Sequence, residues 1–279
     1  MDKIIAFVPA YNEQETIPVV LESLLRLKRE GIIDGVIVVD SNSTDRTAEV
    51  AAQMGAQVAR QAGGKGKGGA FLEGVKSCLE MGASIILMFD ADIIVPLRRD
   101  QVEAMISPIQ EKGRIEMVIY PPIEGGRGGE YSLMESEEFS GQRAFRASTL
   151  RFLFEKKSGE RGRLAFSDSP DASRFRSITD EYALETGLNH WYDRMGWRND
   201  LTTAVDVDLR TDLIQLATKE RRPDLLQGQV EQIRNANLAI CEMVKDKGHL
   251  DFLARQKKIA LARQAGYKIK IAKNAILPR

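Results

Sequence analysis

The chain has 279 residues, 43% hydrophobic and 29% charged, with Lys plus Arg at 40 and Asp plus Glu at 40. Zero formal net charge gives no indication of a nucleic-acid binder, and His190 and His249, the only histidines, exclude a multi-histidine metal centre. Cys78 and Cys241 show no metal-binding spacing and read as buried reduced thiols, the longest apolar runs fall far below the roughly 20 residues of a membrane span, and Met1-Asp2-Lys3-Ile4 lacks signal-peptide character, so the reading is a cytoplasmic protein with no transmembrane segment.

Ile4 to Val8 is a short apolar, β-branched run and predicts a buried strand that Pro9 stops. Asn12 to Glu15 opens a helix with apolar Ile17, Val20, Leu21, Leu24 and Leu27, ended by Gly31. Val36 to Val39 predicts a second strand ending at Asp40, and Ser43 or Thr44 caps the next helix. Val58-Ala59 is a weak third strand. Glycine-rich residues 63–69 feed a helix carrying Phe71, Leu72, Val75 and Leu79. Ile85 to Phe89 predicts a fully buried strand, residues 99–112 a helix and Met117 to Tyr120 another strand. This alternation argues for an α/β fold, a mostly parallel sheet with helices on both faces.

The rhythm changes after residue 120. Residues 121–132 read as loop, Phe145 to Phe154 as a short helix, and 155–178 as a polar surface loop or lid. Residues 180–195 read as a helix and Leu201 to Leu209 as a strand. Pro223 starts a long helix in which Leu226, Val230, Ile233, Asn237, Ile240 and Val244 form a heptad-like seam. That seam suits a helix packing on its own domain or a homodimer contact, and residues 249–279 a helix on the body or an assembly tail.

The chemistry gathers where predicted strands end, the ligand side of open α/β sheets. Strand one is followed by Pro9-Ala10-Tyr11-Asn12-Glu13, strand two by Asp40-Ser41-Asn42-Ser43-Thr44-Asp45, and the fourth by Asp90-Ala91-Asp92. The glycine-rich loop adds Lys65 and Lys67. In an extended segment residues i and i+2 share a face, so Asp90 and Asp92 would reach one Mg2+ or Mn2+ together. Asp after a strand is also common as a plain turn residue, and Asn12 or Ser43 would serve equally as helix caps. Taken together, the four loops supply what a nucleoside diphosphate needs: a polar cleft, a metal and a nearby cation.

These motifs resemble the family 2-type glycosyltransferases of GT-A fold, which use nucleotide-activated sugars. Val8-Pro9-Ala10-Tyr11-Asn12-Glu13, Asp40 to Asp45, Gly66-Lys67-Gly68 and Asp90-Ala91-Asp92 carry the resemblance over residues 1–120. Phe139-Ser140-Gly141 and Tyr182 to Gly187 are similar to the retaining glucosyl-3-phosphoglycerate synthases. The resemblance implies a GT-A domain with a C-terminal helical extension: a nucleotide-sugar half at 1–120, an acceptor half at 121–215 and the extension at 216–279. Pro9, Ala10, Tyr11, Asn12, Glu13, Asp40 and Ser41 would line the nucleoside, with Lys67, Asp90 and Ala91 beside the nucleotide. Asp92 would bind the metal, with Asp90 and Asp212 as further candidates. Asp212 stands where those synthases place a histidine. Glu185 would face sugar or acceptor, the Phe139 carbonyl would lie near the anomeric carbon, and Gly126, Arg127, Ser140 and Gly141 would meet an anionic acceptor.

The implied activity is metal-dependent transfer from a UDP-, GDP- or ADP-sugar to a small anionic acceptor such as 3-phosphoglycerate. If the reaction inverts, Glu185 or a carboxylate within Asp168 to Asp180 would be the base. Ser140 to Arg146 also fits the Ser-Gly-x-x-x-x-Arg pattern of polyprenyl-phosphate sugar transferases, the second reading. A nucleotidyltransferase is disfavoured because Pro9 to Glu13 stands where its glycine-rich loop would be. A non-catalytic sugar-nucleotide binder would not need the Asp pair.

Overall fold

The computed structural model describes residues 2–62, 66–93, 96–111, 116–119, 141–160, 162–179, 184–194 and 199–200. The first half alternates as read from the sequence: β1 (Ile4–Ala10), α1 (Ile17–Arg29), β2 (Gly35–Asp40), α2 (Thr47–Gln53), β3 (Gln57–Arg60), α3 (Gly66–Glu80) and β4 (Ile85–Met88). α4 (Arg99–Gln110), β5 (Met117–Ile119) and β6 (Arg143–Arg146) follow. A 3-10 helix (Ala147–Leu153), β7 (Phe154–Lys156), β8 (Leu164–Phe166), α5 (Pro170–Ile178), α6 (Leu184–Arg194) and β9 (Asn199–Asp200) complete the order.

The seven-stranded sheet runs β3-β2-β1-β4-β6-β5-β9. β6 is antiparallel to β4 and β5, and the other pairings are parallel. Alternate side chains divide the core between two faces. Ile4, Ala6, Val8, Val38, Leu87 and Ala144 face one cluster with Leu21, Leu24, Ala51, Met105 and Ile109 of α1, α2 and α4. Ile5, Phe7, Val39, Met88 and Phe145 face the other with Phe71, Val75, Phe175, Leu188 and Trp191 of α3, α5 and α6. Burial on both faces explains why the parallel strands read as continuous apolar runs.

α3 lies close on the sheet. A Cβ at Gly74 would collide with the Phe7 ring, so glycine there lets the helix axis approach β1. The start of α3 lies at the carboxyl edge of the sheet because the helix follows parallel strand β3.

Several sequence expectations change. Pro9 does not stop β1, which continues to Ala10 in register with Asp40, because the proline φ suits extended chain. α1 starts at Ile17 and α2 at Thr47, later than their expected caps, because the intervening residues tie two loops together. Phe145 to Phe154 is not an α-helix: β6 enters the sheet between β4 and β5, and a 3-10 helix follows. Residues 155–178 are not one loop. β7 and β8 form a hairpin in which the Phe154 and Phe166 rings meet at 5.4 Å, and Ser169 caps α5 by accepting the Ala172 N–H at 3.2 Å. The expected elements at 201–209 and beyond Pro223, with the seam and Cys241, lie outside the described residues. Cys78 is a buried free thiol, as read.

Candidate active site

β1 pairs with β2 on one side and β4 on the other, so the connections leaving β1 and β4 turn opposite ways. Such a switch point opens a crevice at the carboxyl ends of the two strands. The loop after β1 carries Tyr11, Asn12 and Glu13, and the turn after β4 carries Asp90, Ala91 and Asp92.

The loops after β1 and β2 form one hydrogen-bonded unit. The Asn12 N–H donates to Ser43 Oγ at 3.0 Å, and Asn12 Oδ1 accepts the Thr44 N–H at 2.8 Å. The Glu13 N–H donates to Thr47 Oγ1 at 2.8 Å and the Gln14 N–H to Asp45 Oδ2 at 3.2 Å. Asn12 and Asn42 have φ of 56° and 63°, left-handed values that asparagine tolerates better than most residues. The Ser41 N–H donates to the Ala10 carbonyl at 2.9 Å, extending the β1–β2 ladder past Asp40. Buried Asp40 accepts the Ser43 N–H at 3.2 Å. Glu13 is also buried, and its carboxylate accepts the Thr16 hydroxyl at 2.5 Å. Tyr11 projects from this unit at 54% exposure, unusual for so large an apolar side chain.

Across the crevice, three element ends meet at Lys67. Its Nζ lies 2.6 Å from Asp90 Oδ1 and 2.6 Å from Glu185 Oε1. Lys67 sits in the first turn of α3, Asp90 just past β4, and Glu185 in the first turn of α6 with 1% exposure. A cation at a helix start opposes the helix dipole, and the two carboxylates offset that. Burial pulls the Lys67 ammonium down, yet the charges and hydrogen bonds of Asp90 and Glu185 outweigh it and hold its pKa above the ordinary value. The ammonium is therefore a fixed positive charge at neutral pH.

β6 brings in the fourth wall. Its antiparallel register pairs Met88 with Arg143, which sets Gly141 opposite Asp90. The Asp90 N–H donates to Gln142 Oε1 at 3.4 Å.

The expected pair geometry changes in one respect. β4 ends at Met88, and Ala91 and Asp92 form a turn, so the same-face rule for extended chain does not apply to Asp90 and Asp92. Both carboxylates still sit at the crevice edge, a hard oxygen donor set suited to Mg2+ or Mn2+. Among the described residues no group of three or more His, Cys, Asp or Glu side chains converges on a metal position. Asp212, the third expected ligand, lies outside the described residues, as do Lys65, Gly126, Arg127, Phe139 and Ser140. Sequence reasoning passed over Gln142 and the roles of Ser43, Thr44, Asp45 and Thr47 in linking the loops. The density of Ser, Thr, Asn and Asp at 41–47 was the available signal.

The profile of "Glycosyl transferase family 2" matches residues 5–183, more than half of the chain. The chain belongs to that family. An uncharacterised protein of Methanocaldococcus jannaschii is 38% identical over 112 residues, 40% of this chain, and the match spans 44% of that protein's length. A UDP-N-acetylglucosamine–dolichyl-phosphate N-acetylglucosaminyltransferase of Methanococcus voltae is 27% identical over 242 residues, covering 67% of this chain and 91% of that protein. A glucosyl-3-phosphoglycerate synthase from Mycobacterium tuberculosis, solved with Mn2+, UDP-glucose and phosphoglyceric acid, superposes with a TM-score of 0.50. It is 24% identical, over 70% of this chain and 67% of that one. The fold is thus GT-A-like, and the family is one of glycosyltransferases. No described helix is long and apolar enough to cross a membrane.

Proposed function

We propose that the protein transfers a sugar from a nucleoside diphosphate sugar to a phosphorylated, anionic acceptor with the aid of a divalent cation. The observation that carries this reading is the Lys67–Asp90–Glu185 cluster at the β1/β4 switch point of a family 2 chain.

In this reading residues 1–120 hold the donor, 121–215 the acceptor, and 216–279 form an extension that packs on the body or pairs two copies. The joined loops after β1 and β2 hold the nucleoside through Pro9, Ala10, Asn12, Glu13, Asp40 and Ser41. The exposed Tyr11 ring offers a face to the base. Lys67 lends positive potential to the diphosphate as charge develops on the leaving group. A divalent cation on Asp92, with Asp90 and Asp212 beside it, would neutralise the diphosphate further. Glu185, with Lys67 holding its carboxylate in place, faces the sugar and stabilises positive character at the anomeric carbon. The bond from that carbon to the phosphate oxygen breaks, the bond to the acceptor oxygen forms, and the acceptor proton passes to the departing phosphate. This is the retaining course, and it needs no separate carboxylate base.

Two acceptor chemistries share the phosphate. The likeness to a synthase solved with phosphoglyceric acid supports a small acceptor such as 3-phosphoglycerate, taken up by Gly126, Arg127 and Ser140. The alignment with a dolichyl-phosphate transferase over 91% of its length supports a polyprenyl phosphate. A screen with UDP-, GDP- and ADP-sugars, Mg2+ or Mn2+, and both acceptors separates them by released nucleoside diphosphate. Acceptor-stimulated release with either one supports the reading. No stimulated release from any donor, with a folded protein, overturns it.

A further inference from the structure

We propose that Gly141 is a positioning residue for Asp90: the backbone of β6 fixes where that carboxylate sits, and only glycine leaves it room. The proposal deepens the reading above, because it rests on Asp90 serving the nucleotide.

A Cβ built at Gly141 would overlap both carboxylate oxygens and the Cγ of Asp90. The backbone itself gives no reason for glycine, since Gly141 does not adopt the left-handed φ seen at Gly31, Gly55 or Gly82. Space is therefore the reason. The overlap follows from sheet register, in which Met88 faces Arg143 and residues 90 and 141 stand opposite one another just beyond the ladder. Asp90 is then held from three directions. Gly141 closes one side, Lys67 Nζ meets Oδ1 at 2.6 Å, and Gln142 accepts its N–H at 3.4 Å. A carboxylate braced in this way has little freedom to leave the crevice. A methyl group at 141 pushes it off its place and pulls on Lys67 and, through Lys67, on Glu185. Gly141 thus acts on donor binding through Asp90, where the sequence reading had it touch the acceptor directly.

The test is a mutant cycle on the full chain: wild type, Gly141→Ala, Asp90→Ala and the double variant. Calorimetry with Mn2+ and UDP reads binding, with GDP or ADP as the probe where either binds wild type more tightly. Thermal denaturation of the same samples reads folding. Gly141→Ala is expected to weaken nucleoside diphosphate binding about tenfold in folded protein, about 1.4 kcal/mol of affinity. In the Asp90→Ala background, where the obstruction is gone, Gly141→Ala should change neither the affinity nor the denaturation midpoint beyond the additivity error of distant sites. If Gly141→Ala does not fold, the double variant should fold, because removing the carboxylate removes the conflict. Unchanged nucleotide affinity in folded Gly141→Ala overturns the proposal, as does an equal effect of the methyl in both backgrounds, or a double variant that fails to fold where Asp90→Ala succeeds. Asp90→Ala binding as wild type does, or a wild type that binds none of the three nucleotides, instead overturns the donor reading on which the proposal rests.

Discussion

Lys67 is shared by two carboxylates, so its removal takes the ammonium between them from Asp90 and the almost fully buried Glu185. Breaking such a group from one side costs about 3 kcal/mol, mostly from the charge left behind. Lys67→Met should therefore lower stability to urea by about that amount. Lys67→Met with Glu185→Gln should recover at least about 1 kcal/mol of it, because the buried side chain that Lys67 met is then neutral. Equal stability of the two variants would show that the cluster is not coupled. The pH dependence has a definite sign. A lysine whose pKa is raised by folding contributes stability that is fully present below its unfolded value of 10.5 and is lost as pH rises through the folded one. The gap between wild type and Lys67→Met should then stay flat from about pH 7 to 9 and narrow only in stronger alkali.

At the scale of elements, the strands were legible where burial on both faces left continuous apolar runs, as in β1, β2 and β4. β6 was not, because its four residues owe their conformation to β4 and β5, distant in sequence, while their local pattern suits a helix equally well. The β7–β8 hairpin and α5 were legible in principle. Gly159 and Gly162, both at positive φ, mark the turn, and Ser169-Pro170-Asp171 is a helix start. At the site, Lys67, Asp90 and Glu185 could be named from motifs, but their meeting at one ammonium depends on where α3 and α6 begin. The motif reading places Gly141 at the acceptor, and nothing local in the sequence reveals the register that sets it against Asp90. The loop unit after β1 and β2 makes its own prediction. Asn12→Ala and Asn12→Gly both lose the bonds from the Thr44 N–H and hydroxyl, but only the alanine variant keeps a Cβ at φ 56°. The alanine variant should be the less stable by about 1 kcal/mol in denaturant titrations. Equal midpoints would mean that the left-handed turn carries no strain to relieve.

Across the whole molecule, one edge of the sheet gathers every described group assigned to the donor, while the two faces supply cohesion. Donor chemistry can therefore be impaired at this edge without loss of the fold, and Asp92 is the place to do so, since it lies past β4 and outside both core clusters. The deciding measurement is the rate of nucleoside diphosphate release from the preferred sugar donor and acceptor in Mn2+, for wild type and Asp92→Ala, each repeated after metal chelation. Chelation should silence the wild type, and Asp92→Ala should fall by at least about 100-fold with its denaturation midpoint intact. Turnover that survives both the chelator and the substitution would contradict the assignment of this edge as a metal-assisted nucleotide-sugar site.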